Sequence, residues 1–218
     1  MFRIACLAIG YALGCIQSAY FIGRSTRNID IREHGSKSAG FTNANRVMGF
    51  KLGIVIFIID VAKAILAFII ASMLFDGTGS FLPAGELSLL PGIWAGLGAV
   101  LGHCFPFFMK FKGGKGIACI LGLMIMLDWR AAVVIFIVAA ILLVFTRFIS
   151  TSSLLISLLM PISMAVLGYG AEVVAVAAVI STLAWFMHRA NIGRLIAGTE
   201  NKFSFTKKDP ASTSTGAQ

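Results

Sequence analysis

Four polar stretches carry residue types suited to handling a phosphate. In "HRANIGRLIAGTE", residues 188–200, His188, Asn191 and Arg194 recur at every third position. On a continuing helix that spacing sets them along one face. There an imidazole could exchange a proton, an amide orient a hydroxyl or carbonyl, and a guanidinium grip a phosphate. In "FKGGKG", residues 111–116, the glycines Gly113, Gly114 and Gly116 precede an apolar segment and are flanked by Lys112 and Lys115. Such a loop can turn successive N–H groups toward one point at a helix start, an anion nest backed by two full positive charges. It is not a nucleotide-hydrolysing P-loop, because GxxxxGK followed by Ser or Thr is absent. A flexible basic loop against anionic headgroups reads the same residues equally well.

The third stretch, "REHGSKSAGFTNANRVMG" from Arg32 to Gly49, is a polar island between apolar runs. Gly35 and Gly40 permit close backbone approach, Ser36, Thr42 and Asn43 offer hydrogen bonds, Lys37 adds charge, and Arg46 can hold a phosphate with two N–H groups. An ordinary capped turn is the competing reading. The fourth stretch, "TRFISTSS" at 146–153, supplies hydroxyls that include Ser150.

The elements that must position these residues are apolar. Hydrophobic residues make up 58% of the 218-residue chain and charged residues 12%, with a mean hydropathy of +0.93, values too apolar for a soluble domain. A crossing helix needs about 20 apolar residues, and apolar segments fall at roughly 2–22, 53–75, 88–108, 116–128, 131–146, 152–168 and 171–187. Residues 1–23 read as a span, since they lack a basic start beyond Arg3 and a clear cleavage pattern. Asp128 and Arg130 would be costly at a bilayer centre, so a surface turn at 127–130 separates the fourth segment from the fifth.

Seven spans place fifteen Lys and Arg residues on one side and only Arg3 and Arg130 on the other, with Lys63 inside a span. The positive-inside rule then sets the N-terminus outside and the C-terminus in the cytoplasm. The expectation is an all-α, polytopic integral membrane protein of seven transmembrane helices, one domain over 1–202 followed by a disordered cytoplasmic tail at 203–218. All four polar stretches fall on its cytoplasmic side. The net charge of +9 follows the membrane sides and no nucleic-acid motif accompanies it, so no nucleic-acid partner is expected. Cys6, Cys15, Cys104 and Cys119 lack disulfide or zinc spacing and read as buried thiols. No metal or other cofactor is called for.

Within the second span, Asp60 and Lys63 share a helix face and can neutralise each other, as a structural pair or as the floor of a site. Gly92, Gly96, Gly98 and Gly102 suit close helix packing, and His103 and Pro106 stand where they could brace the basic loop.

The wording and order of these segments resemble the bacterial acyl-phosphate:glycerol-3-phosphate acyltransferase family (PlsY) over residues 10–202. The resemblance rests on "GSKSAGFTN" with Arg46, "DVAK" at 60–63, "GHCFPFFMKFKGGKGIA" at 102–118, "TRFISTSS" and "HRANIGRLIAGTE". It implies seven membrane helices in the bacterial cytoplasmic (inner) membrane and transfer of a fatty acyl group from acyl phosphate to the 1-hydroxyl of glycerol 3-phosphate. The products would be lysophosphatidic acid and phosphate, at the start of phospholipid synthesis. By the same resemblance Ser36, Thr42, Asn43 and the N–H groups of their loop serve the acyl-phosphate end. Arg46 and Lys115 serve glycerol 3-phosphate, assisted by Ser150, His188 and Asn191. The partners implied are the two substrates, membrane lipid and an upstream enzyme that makes acyl phosphate. An acyl phosphate is already activated, so direct attack by the glycerol hydroxyl, without an acyl-enzyme, is the expected mechanism.

The chain departs from the family pattern in places. Lys37 and Ser38 stand where the first motif commonly reads GSGN, Phe41 fills a usually small position, Ala64 replaces the Gly of DxxKG, and Cys119 replaces a Thr. A divergent paralogue is one alternative that these changes raise. A small organophosphate transporter would need polar residues through the spans, where Asp60 and Lys63 are nearly alone, and a scaffold would not explain four polar stretches on one side.

Overall fold

The computed structural model describes residues 1–75 and 86–203. The expected tail lies outside the described residues, save Phe203. Among the described residues every regular element is helical: α1 (Phe2–Gly14), α2 (Ser18–Arg27), α3 (Phe41–Met48), α4 (Phe50–Phe75), α5 (Glu86–Cys104), α6 (Ile117–Leu127), α7 (Trp129–Thr146), α8 (Ile149–Val166), α9 (Ala171–Met187) and α10 (Arg189–Ile196).

Each apolar segment read from the sequence is a helix, but the spans are less regular than expected. The first is broken at Cys15–Gln17 into α1 and α2, which together make a 26-residue run, Phe2–Arg27. The break is tolerated because its backbone is satisfied from inside: the Gln17 amide donates to the Gly14 carbonyl at 3.3 Å, and Lys63 Nζ to the Ile16 carbonyl at 2.7 Å. Among the described residues five runs are long and apolar enough to cross a membrane, or six if α9 and α10, bent by 58°, count as one. The fourth expected span, α6, has only 11 residues. At 1.5 Å per residue it is about 16 Å long, roughly half of a hydrocarbon core. Eight of its residues are buried, so it is wrapped by other helices rather than by lipid.

Asp128 ends α6 and opens α7, its carboxylate accepting from the N–H groups of Arg130 at 2.9 Å and Ala131 at 3.0 Å. That cap is the expected turn at 127–130. Helix α7 shows an apolar outer face, with Val134, Phe136, Ile137, Ile141, Val144 and Phe145 exposed, the composition a lipid-facing helix requires.

The centre is held by backbone approach. A Cβ at Gly10 or Gly14 of α1 would meet the α5 backbone at Ala95 or Ala99, and one at Gly98 or Gly102 of α5 would meet α1 at Leu7 or Tyr11. Gly92 and Gly96 instead receive the side chains of Phe68 and Leu123, so the glycines do pack helices together, within one chain. All four cysteines are buried and free. At the end of the bundle away from the polar loops, Glu172 at the start of α9 takes bonds from Arg3 Nε and Nη2 at 2.6 and 2.7 Å and from Trp94 Nε1 at 2.7 Å, clasping α1, α5 and α9.

Candidate active site

At the other end, the bend between α9 and α10 builds a cluster around one carboxylate. Glu200 Oε1 accepts from Asn191 Nδ2 at 2.7 Å and Ser150 Oγ at 3.0 Å, and Glu200 Oε2 from Arg194 Nε at 2.7 Å. Lys115 Nζ donates to Asn191 Oδ1. The basic loop, the start of α8 and both sides of α10 therefore meet through residues up to 85 positions apart in sequence. His188 sits at the bend itself, 3% exposed, with Nδ1 2.8 Å from the Ala184 carbonyl. A carbonyl only accepts, so Nδ1 carries the proton and Nε2 is left as an acceptor in the neutral ring.

The electrostatics match this layout. Burial lowers the Lys115 pKa to about 8; the charge on Glu200 works the other way, and Arg194 and Arg46 push it down further. Burial alone would raise Glu200, but the bonds from Asn191, Arg194 and Ser150 outweigh it and hold the carboxylate below its ordinary value. Sequence reasoning missed Glu200. The signal available was its place as the one acidic residue among the cations of residues 188–202.

The basic loop differs from the expected nest. The Gly113 N–H donates to the Cys104 carbonyl and the Gly114 N–H to the His103 carbonyl, each at 3.0 Å, so neither is available to a phosphate. These glycines serve packing: a Cβ at Gly113 would strike the His103 carbonyl, and one at Gly114 the His103 imidazole. Gly116, at φ +85°, opens α6 without a side-chain cap, leaving N–H groups of its first turn for an anion. Lys112 is exposed, and among the described residues its side chain has no hydrogen-bond or ion-pair partner.

The first loop also corrects an expectation. Asn43 is 1% exposed, and its side chain is spent within the loop. Nδ2 donates to the carbonyls of Ile31 at 3.1 Å, His34 at 3.0 Å and Ser38 at 3.0 Å, while Oδ1 accepts from the Ser36 N–H at 2.7 Å. With every polar atom engaged, Asn43 organises the loop rather than contacting a ligand. Gly35 is required beside it: its φ is +58° and a Cβ would strike Asn43 Oδ1. The loop amides are likewise mostly used, Ser36 on Asn43, Lys37 on the His34 carbonyl at 3.0 Å, and Ala39 on the Gly113 carbonyl at 3.3 Å. That last bond sets the first loop against the basic loop. Gly40 then opens α3 without a side-chain cap. Among the described residues, the side chains of Ser36, Lys37, Thr42 and Arg46 have no hydrogen-bond or ion-pair partner, and Arg46 lies near enough to Lys115 to act on its charge.

Lys115, Ser150, His188, Asn191 and Arg194 are thus brought together with Glu200, and Arg46 lies within electrostatic reach of Lys115. Among the described residues no three His, Cys, Asp or Glu side chains gather as a metal site would need.

A profile of the glycerol-3-phosphate acyltransferase family matches residues 4–198. A glycerol-3-phosphate acyltransferase of Shouchella clausii (strain KSM-K16) is 38% identical over 203 residues, covering 91% of this chain and 95% of the relative. One from Thermoanaerobacter sp. (strain X514) is 35% identical over 202 residues, covering 93% and 96%. The fold superposes on the glycerol 3-phosphate form of PlsY, an integral membrane glycerol 3-phosphate acyltransferase, with a TM-score of 0.81 at 30% identity, covering 93% of this chain and 96% of that one.

Proposed function

The chain belongs to the glycerol-3-phosphate acyltransferase family, and from that premise we propose that it moves a fatty acyl group from acyl phosphate to the 1-hydroxyl of glycerol 3-phosphate at the cytoplasmic face of the bacterial inner membrane. It is a multi-pass membrane protein of an enzyme family whose relatives are named for acylating glycerol 3-phosphate. The observation that carries the finer reading is the convergence of Ser150, Asn191 and Arg194 on a single carboxylate, with Lys115 bonded to the Asn191 amide beside it. Donors that satisfy a carboxylate so fully also suit the oxygens of a phosphate.

In this reading Arg46 and Lys115 hold the phosphate of glycerol 3-phosphate, and Ser150, Asn191 and the free Nε2 of His188 align its hydroxyl. Ser36, Thr42 and the uncapped start of α3 take the acyl phosphate. The hydroxyl oxygen bonds to the acyl carbonyl carbon, the carbon–oxygen bond to phosphate breaks, and the departing phosphate carries the electron pair and accepts the proton. The protein supplies proximity and donors for the developing charge, and no acyl-enzyme forms. The side to which the basic residues sort supports the cytoplasmic placement, and the supply of acyl phosphate implies an upstream enzyme that makes it.

The test is phosphate release by purified, detergent-solubilised protein given palmitoyl phosphate, with and without glycerol 3-phosphate, beside Lys115→Ala. Release that depends on glycerol 3-phosphate and falls about a hundredfold in the variant is expected. A hydroxylamine-sensitive adduct on Ser36 or Ser150 after acyl phosphate alone would replace direct attack with a covalent intermediate.

A further inference from the structure

Beneath the basic loop lies a buried polar network that the acyl-transfer reading does not use. In the middle of α4, Lys63 Nζ lies 2.8 Å from Asp60 Oδ1, 2.7 Å from the Ile16 carbonyl and 2.9 Å from His103 Nδ1. An ammonium only donates, so Nδ1 of His103 accepts and the proton of the neutral ring sits on Nε2, the edge facing Gly114. Ser18 Oγ adds a bond to Asp60 Oδ1 at 2.9 Å, and Gln17 Nε2 donates to the Gly102 and His103 carbonyls at 3.2 Å. Asp60, Lys63 and His103 are 1%, 4% and 3% exposed. Replacing a buried ion pair by apolar residues is often neutral or stabilising, so stability alone does not account for it.

The upper edge of the network is what the basic loop rests on. One residue, His103, contacts Gly114 twice: its carbonyl takes the Gly114 N–H at 3.0 Å, and its ring fills the space a Gly114 side chain would occupy. Lys115 is the next residue. We propose that Asp60, Lys63 and His103 are positioning residues that fix the basic loop from below, holding the Lys115 ammonium where it meets the phosphate of the acceptor substrate. Asp60 holds Lys63, Lys63 fixes the tilt of the His103 ring, and the ring fixes Gly114. This inference rests on the proposed function for its substrate and on geometry for its mechanics.

Two variants test it. His103→Asn keeps an acceptor within reach of Lys63 but removes the ring from Gly114. Asp60→Asn combined with Lys63→Met removes both charges at once, leaving no unpaired ion in the hydrocarbon. In either variant, shown folded by size exclusion and melting, KM for glycerol 3-phosphate should rise about tenfold while KM for palmitoyl phosphate stays within about twofold. Independently of activity, competitive amine labelling read by mass spectrometry should show Lys115, which faces Glu200, Arg194, Arg46 and His188, titrating at higher pH as the loop opens to water. A merely structural network would lower the melting temperature and the amount of active protein while leaving both readouts unchanged, and that result in folded variants overturns the proposal. If the unmodified protein shows no release dependent on glycerol 3-phosphate, the acyl-transfer reading fails, and the labelling of Lys115 still decides the positioning role.

Discussion

The Glu200 cluster and the first loop are both polar and both sit at the ends of apolar helices, yet they are built in opposite ways. Around Glu200 the side chains are bound to one another, so that Ser150, Asn191, Arg194 and Lys115 are fixed before any ligand arrives. In the first loop one side chain, Asn43, is spent on the backbone, and the residues around it stay unbound. The first arrangement preorganises charge; the second preorganises the chain path and leaves Ser36, Thr42 and Arg46 to respond to what binds.

The comparison breaks most visibly at Asn43. Asn43→Ala leaves the Ser38 carbonyl and the Ser36 N–H without their partner and takes one of two bonds from each of the Ile31 and His34 carbonyls, which should cost about 3 kcal/mol and show as a large drop in melting temperature in detergent. Arg46→Ala gives the converse: kcat/KM for glycerol 3-phosphate falls about thirtyfold with the melting temperature unchanged, because no ion pair or hydrogen bond within the described protein is lost. An equal loss of stability in the two variants would erase the distinction between scaffold and contact residues.

The Glu200 cluster is sharpened through pH. Below about 8 Lys115 carries its charge, and above that value the charge proposed to hold the phosphate is lost. The logarithm of kcat/KM for glycerol 3-phosphate should therefore decline with pH above this point, by about one per unit. Since Glu200 raises the Lys115 pKa, Glu200→Gln should move the break to lower pH, and a shift the other way would show that solvation, not the lost charge, controls Lys115. The smallest effect belongs to the first loop. Lys37 adopts φ +59°, a conformation that costs a side-chain-bearing residue about 1–2 kcal/mol. Lys37→Gly regains part of that at an entropic cost. A gain of about 0.5 kcal/mol, read by denaturation, is expected, with the pH profile unaltered.

Periodicity and charge made the helices and the Asp128 turn readable, because both depend on residues near in sequence. The His188, Asn191 and Arg194 spacing was readable for the same reason, even though the helix bends at His188. What stayed hidden depends on distant partners. Gly113 and Gly114 look like a phosphate nest until the carbonyls of His103 and Cys104 fold back over them, and Asn43 looks like a ligand contact until three carbonyls converge on it. The half-length of α6 follows from its burial among other helices, which hydropathy does not encode. Glu200 acquires meaning only when α8 and α10 bring Ser150, Asn191 and Arg194 around it.

The bond from the Ala39 N–H to the Gly113 carbonyl joins the two loops through main chain alone. Its persistence does not depend on which side chains surround it. Such a joint leaves the adjoining positions free to drift in identity, and Lys37 and Ser38 occupy that tolerant zone beside it. The liberty ends where the bond itself is lost: Ala39→Pro, which deletes the donor, would uncouple the two loops whatever its neighbours are.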